Sequence, residues 1–239
     1  MKKPLLIVKN ITHEAPGLIE TALSDKDFTS HVVDLAAGDS FPDPRSYKAV
    51  VVLGGPQSAN DLTPSMLMQL ARIEVALQEE IPYLGICLGM QTLVKAGGGK
   101  VLKCPVQEIG FTDQEGEEYR MLLTAEGKED PLFCGLSESI RVFQLHGETV
   151  ELAAGMKLLA SGRLCPIQAV KAGEKAYGLQ CHAEMTLSMF LSWLALDADL
   201  KSMDRTALIE QFESFRHEYT ATGIQLINNF LRISGLAHD

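Results

Sequence analysis

The chain has 239 residues, enough to bury a full core, with 46% hydrophobic and 22% charged side chains, as in ordinary globular proteins. Its 21 basic and 31 acidic residues give a formal net charge of −10, which argues against a general nucleic-acid or anionic-membrane surface. No stretch approaches the length of a membrane-spanning helix.

The N-terminus carries basic residues, but the apolar run behind them is too short for a signal-peptide core, so residues 5–8 read as a first strand. A short helix over 17–23, a strand over 30–35 and a strand over 49–53 follow. Thr63 and Pro64 fit the N-cap and first turn of a helix running to about residue 79. Residues 82–86 form the next strand and feed a helix to about residue 96. Near-continuous apolar strands alternating with helices predict an α/β fold, a doubly wound, mostly parallel sheet with helices on both faces. After Gly97-Gly98-Gly99 the texture changes: segments 100–123, 139–146 and 157–181 are short, strand-like and turn-rich. They predict an antiparallel extension that returns to the core at 176–181. From residue 185 the pattern is helical, over 185–196, 205–219 and 222–234. Residues 1–239 read as a single domain, with about 200–239 as a helical C-terminal tail. Phe212, Phe215 and Tyr219 recur at helical spacing and are assigned to packing on the domain.

The five cysteines are odd in number and irregularly spaced, with no C-x-x-C pair, so spacing suggests neither a zinc site nor a disulfide framework. Reduced thiols in the cytoplasm fit this usage.

The chemistry concentrates at three places. Gly85-Ile86-Cys87-Leu88-Gly89 follows the fourth strand and precedes a helix, which is G-x-C-x-G at a strand-to-helix turn, a nucleophile elbow with a thiol. The helix start supplies a positive dipole end that favours an anionic sulfur. Near residue 180, a strand ends in His182-Ala183-Glu184, where a carboxylate two residues beyond an imidazole can orient it towards a nucleophile. After the third strand, Gly54-Gly55-Pro56 offers an N–H at Gly54 or Gly55 as an oxyanion donor, with Leu88 N–H as the second. Each has a structural reading: a small buried hydrophobe, a strand-end histidine, a tight turn. Their placement at successive strand ends, where α/β sheets gather ligands, favours the chemical one.

These motifs resemble the class I (triad-type) glutamine amidotransferases: a G-G-P loop, G-x-C-x-G-x-Q ending at Gln91, and Gln180-x-His182-x-Glu184. Within that family, Glu108-Ile109-Gly110 and His146-Gly147-Glu148 resemble the stand-alone branch similar to the glutaminase domain of GMP synthetase. The resemblance implies Cys87 as nucleophile, His182 as general base and acid, and Glu184 as its orienter. It places Gln91 against bound glutamine and the backbone of His146, Gly147 and Glu148 around the substrate's α-amino and carboxylate groups. It implies a γ-glutamyl thioester intermediate and no metal or organic cofactor. The family's late motif usually has an aromatic residue before the histidine and a proline after it; Cys181 and Ala183 stand there instead. Cys181 reads as a buried filler.

Glutamine or another γ-glutamyl compound is the implied substrate. The chain has no G-x-x-x-x-G-K-[ST] phosphate loop, so a synthetase consuming the ammonia would be a separate subunit. A stand-alone γ-glutamyl peptidase is the alternative that needs no partner. A related Cys-elbow stress protein would carry histidine after the nucleophile, where Leu88 stands. A non-catalytic module would have lost Cys87, His182 or Glu184.

Overall fold

A computed structural model of the chain describes residues 3–24 and 28–237. In chain order the elements are β1 (Leu5–Lys9), α1 (Leu18–Ser24), β2 (Ser30–Asp34), β3 (Ala49–Val52), α2 (Pro64–Gln78), β4 (Tyr83–Ile86) and α3 (Leu88–Ala96). Then come β5 (Lys100–Gly110), β6 (Arg120–Leu123), α4 (Ala125–Glu129), β7 (Ser139–Arg141), β8 (Gln144–Glu151), β9 (Lys157–Ser161), β10 (Ala169–Ala172) and β11 (Ala176–Leu179). The chain closes with α5 (Leu187–Leu196), α6 (Ala198–Lys201) and α7 (Arg205–Ile233).

Nine strands form one sheet in the order β2-β1-β3-β4-β11-β10-β9-β6-β7, and β5 pairs separately with β8. The first five in that order run parallel, and the rest continue antiparallel. The two-residue period of a strand explains the double winding. Leu5 and Ile7 pack with Leu18 and Ile19 of α1 and Leu226 and Phe230 of α7. Leu6 and Val8 point the other way, onto Ile73 of α2 and Leu93 of α3. A third, aromatic cluster joins Phe111 and Phe143 to Phe190 and Trp193 of α5 and to Phe212, Phe215 and Tyr219 of α7. The helical stripe read from sequence therefore packs on the domain.

The expected elements recur with small shifts at their ends. Thr63 does cap α2, its side chain accepting from Met66 N. The strand expected to reach residue 181 stops at Leu179, where the chain turns into the 180–184 segment. Two short helices were not anticipated: α4 and α6 begin at Thr124 and Asp197, whose side chains accept from backbone N–H groups one turn on.

The main correction concerns the C-terminus. Instead of helices over 205–219 and 222–234, α7 is one helix of 29 residues. Glycine costs about 1 kcal/mol against alanine inside a helix, and α7 carries one at Gly223. The glycine serves packing: a Cβ there would lie 2.2 Å from the Ala183 carbonyl oxygen and 2.7 Å from Leu18 Cδ1. This C-terminal helical tail packs on the domain, with Leu226, Ile227, Phe230 and Leu231 in one core cluster with Leu5 and Ile7 of β1. Among the described residues, no helix is long and apolar enough to cross a membrane.

Gly223→Ala must push α7 away from the 182–184 segment. It is expected to lower unfolding stability by roughly 1–3 kcal/mol, the usual cost of overpacking, read as a lower urea midpoint at unchanged slope.

Candidate active site

The elbow is built by close approach. A Cβ on Gly85 would sit 2.2 Å from Gly89 O, and one on Gly89 would sit 2.1 Å from Val52 O, so both positions exclude any side chain. Tyr83 hydroxyl donates to Gly89 O at 2.8 Å and braces the first turn of α3. The backbone strain falls on the cysteine itself: Cys87 has φ +53° and ψ −109°. Such a conformation costs a non-glycine residue about 1–3 kcal/mol and persists only where neighbours enforce it. Cys87 N–H donates to Leu179 O at 2.7 Å, and Cys87 O accepts from Met90 N and Gln91 N.

Opposite the elbow, segment 182–184 is clamped by backbone contacts. His182 N–H donates to Phe143 O, and Tyr219 hydroxyl donates to His182 O. Gly223 leaves room for Ala183 O, while Gly17 (φ +57°) leaves room for Glu184 O, which accepts from Leu18 N at 2.8 Å. Within this frame His182 Nδ1 lies 2.8 Å from Glu184 Oε1, both side chains 1% exposed. His182 lines the same cavity as Cys87 and packs edge-on against Trp193, centroids 4.8 Å apart. Burial alone would push the imidazole pKa down, but the Glu184 carboxylate and the Cys87 contact outweigh it and hold it well above the ordinary value. Beside it Cys181 is fully buried in the main core, and burial pushes its thiol pKa up.

A cavity of about 570 Å³ opens over the elbow. Of the residues singled out from sequence, Gly55, Cys87, Gln91 and His182 line it, as does the 146–148 run. Gly54, Leu88 and Glu184 stand behind that surface. Gly54 leaves space for the imidazole, since a Cβ there would lie 3.0 Å from His182 Cε1. Leu88 opens α3, whose first N–H groups have no partner within the helix. Gln91 is committed to the frame: its Nε2 donates to Glu148 O at 3.2 Å and to Gln180 Oε1 at 3.3 Å.

Several polar residues were missed by sequence reasoning. Asn10 holds the Gly54-Gly55 loop, donating from Nδ2 to Leu53 O and accepting from Gln57 and Gln69. Ser58 donates to Glu148 Oε1 at 3.0 Å, joining the loop to the far wall. Glu14 lines the cavity, and its Oε2 has no hydrogen-bond partner among the described residues. Burial, with the Glu184 charge adding and the His182 charge opposing, raises its pKa to about 7. Its position after β1, at the carboxyl end of a parallel strand, was the available signal.

A family model described as Glutamine amidotransferase class-I matches residues 17–195. The glutamine amidotransferase-like protein YfeJ of Salmonella typhimurium is 29% identical over 180 residues, covering 73% of this chain and 72% of that protein. A GMP synthase [glutamine-hydrolyzing] of Azoarcus sp. is 32% identical over 141 residues, which are 58% of this chain but only 26% of that enzyme. A glutamine amidotransferase crystal structure from Thermotoga maritima superposes with a TM-score of 0.84 at 26% identity, covering 98% of this chain and 99% of that one.

Two titrations test the electrostatics. The pair with Glu184 raises the folded-state pKa of His182 above its unfolded value, so its stabilising contribution is complete below about pH 6.5 and is lost as pH rises through the folded value. Imidazole NMR is expected to find the His182 pKa above the ordinary imidazole value, and lower in Glu184→Gln. Glu14 has the opposite sign for stability. Its unfolded carboxyl ionises near 4.5 while the folded one resists to about 7, so stability falls across that window. Glu14→Gln is expected to gain relative to the parent between pH 5 and pH 8, approaching ~3 kcal/mol, in urea unfolding.

Proposed function

The chain belongs to the class I glutamine amidotransferase family, and on that premise we propose that it hydrolyses the γ-amide of glutamine through a thioester on Cys87. The observation that carries the reading is one juxtaposition: a cysteine held at φ +53° on the elbow, sharing a cavity with an imidazole whose Nδ1 is paired to Glu184. The sulfur, having given its proton to His182, attacks the amide carbon. The resulting oxyanion takes hydrogen bonds from backbone N–H groups at Gly55 and Leu88. His182 passes its proton to the departing nitrogen, and ammonia leaves as the carbonyl reforms on sulfur. A water then gives a proton to His182 and its oxygen to the carbonyl carbon. Glutamate departs, and the proton returns to sulfur. The 146–148 run and Gln91 shape the wall that holds the rest of the substrate.

The ammonia is released to water or handed to a synthetase on a separate chain. The match with this chain spans about a quarter of the length of the Azoarcus GMP synthase.

A second reading, hydrolysis of a γ-glutamyl peptide or amine, is favoured by the cavity's charge. Glu14, Glu148, Asp197 and Asp199 line it, and among the described residues no lysine or arginine does. Such a wall suits the α-ammonium of glutamine and, further out, a cationic leaving amine.

Steady-state hydrolysis of glutamine against γ-glutamyl peptides and amines separates the readings. Cys87→Ala is expected to lower kcat/KM by roughly 10⁴–10⁶-fold for whichever substrate is preferred, and Glu184→Ala by roughly 10²–10⁴-fold. Turnover that survives Cys87→Ala would remove the covalent mechanism.

A further inference from the structure

We infer that Cys104, His146 and Cys165 form a binding site for one thiophilic divalent cation of the zinc class, built into the wall of the cavity. The three residues come from β5, β8 and the connection between β9 and β10, and their ligand atoms all lie within 4.8 Å of one another. Their sequence separations conceal the cluster, which explains why cysteine spacing suggested no zinc site.

The bulge in β5 creates the arrangement. Lys103 pairs with Glu148 and Glu108 pairs with His146, so residues 104–107 of β5 stand opposite Gly147 alone. The excess chain lets Cys104 and Glu108 approach the same imidazole from its two sides. Glu108 Oε2 sits 2.9 Å from His146 Nε2, both side chains 2% exposed, and Cys104 Sγ sits 3.6 Å from His146 Nδ1. Glu108 also receives Cys165 N–H at 3.3 Å and Gln168 Nε2 at 3.2 Å. One buried carboxylate thus orients the ring of one ligand and the backbone of another. A carboxylate behind a ligating histidine is the usual outer support of a metal centre.

The spacing fits the ion. Bonds of about 2.3 Å to sulfur and about 2.0–2.1 Å to nitrogen at a tetrahedral angle put the two ligand atoms about 3.6 Å apart. The separation of Cys104 Sγ and His146 Nδ1 is 3.6 Å. Binding displaces the thiol protons and any proton on Nδ1, as thiolate and neutral imidazole ligation requires. Glu148 O, 3.0 Å from Nδ1, or a solvent oxygen completes four-coordination. Cys165 and His146 are buried, while Cys104 is half-buried and marks the route from solvent. Two thiolates and an imidazole favour zinc-class ions over magnesium or calcium. The ion would join β5, β8 and the 162–168 connection directly behind His146 and Glu148, both of which face the cavity.

The test uses the full chain carrying Cys87→Ala, which removes the other thiol beside an imidazole, so the outcome is independent of the catalytic reading. Titration with Co²⁺ is expected to give one equivalent with thiolate charge-transfer and tetrahedral ligand-field bands, all displaced by Zn²⁺. Cys104→Ser and Cys165→Ser should each lose the charge-transfer intensity and at least tenfold in affinity. Cys134→Ser, at an exposed cysteine, should change neither. Glu108→Gln should weaken binding roughly 10–100-fold, as for other outer-shell partners. Without any substitution at the site, bound Zn²⁺ should protect Cys104 and Cys165 from alkylation, read by peptide mass spectrometry. Undiminished cobalt bands in both serine variants would overturn the site. So would equal alkylation of the two thiols with and without Zn²⁺, or a fully reduced chain that takes up no metal.

Discussion

The buried pair of His182 and Glu184 is the constraint on which the architecture turns. Removing a carboxylate and an imidazole from water costs several kcal/mol per ion, and only close, well-directed pairing offsets it. Three parts of the chain outside this segment hold its backbone. The start of α1 receives Glu184 O, the residue before β8 receives His182 N–H, and α7 supplies Tyr219 to His182 O and a bare backbone at Gly223 to Ala183 O. The aromatic cluster of α5 and α7 then excludes water, with Trp193 against the ring. The long C-terminal helix is therefore part of the site's foundation.

The elbow meets that pair as a second rigid body. Strain at Cys87 is held in place by bare backbone at Gly85 and Gly89, by Tyr83, and by the hydrogen bond from Cys87 N–H to Leu179 O. That last bond comes from β11, the strand that leads into segment 180–184. One pair of neighbouring parallel strands, β4 and β11, thus carries both the sulfur and the imidazole. A register slip between them would separate the two and turn their side chains to the wrong faces.

The remaining wall is less apolar than its depth suggests. Glu108, His146, Gln168 and Gln144 form a buried polar chain that continues to Cys165. Such networks are costly unless satisfied, and this one is anchored by the carboxylate of Glu108. Nearer the mouth, Glu14 is held beside His182 with no partner for Oε2 among the described residues, so part of the protein's stability is given up at the site.

Much of this was readable one-dimensionally. The continuous apolar runs of β1 and β3, the capped start of α2, the glycines around Cys87 and the two-residue spacing of His182 and Glu184 are all local patterns, set by burial on both faces, steric size and turn geometry. The resemblance to a known family rested on those same local motifs. Other features depend on residues far apart in sequence. Gly223 owes its place to Ala183 O packed against it, and Glu14 owes its raised pKa to burial. Gln91 lines the cavity with its Nε2 engaged by Glu148 O and Gln180 Oε1, partners far from it in sequence. Cys104, His146 and Cys165 have no spacing signature, because a bulge in β5 and a turn after β9 bring them together. The sequence by itself determined which groups could do chemistry and which strand ends would carry them. Only the tertiary structure decided their charge states and neighbours, because desolvation and close approach depend on what the rest of the chain packs against them.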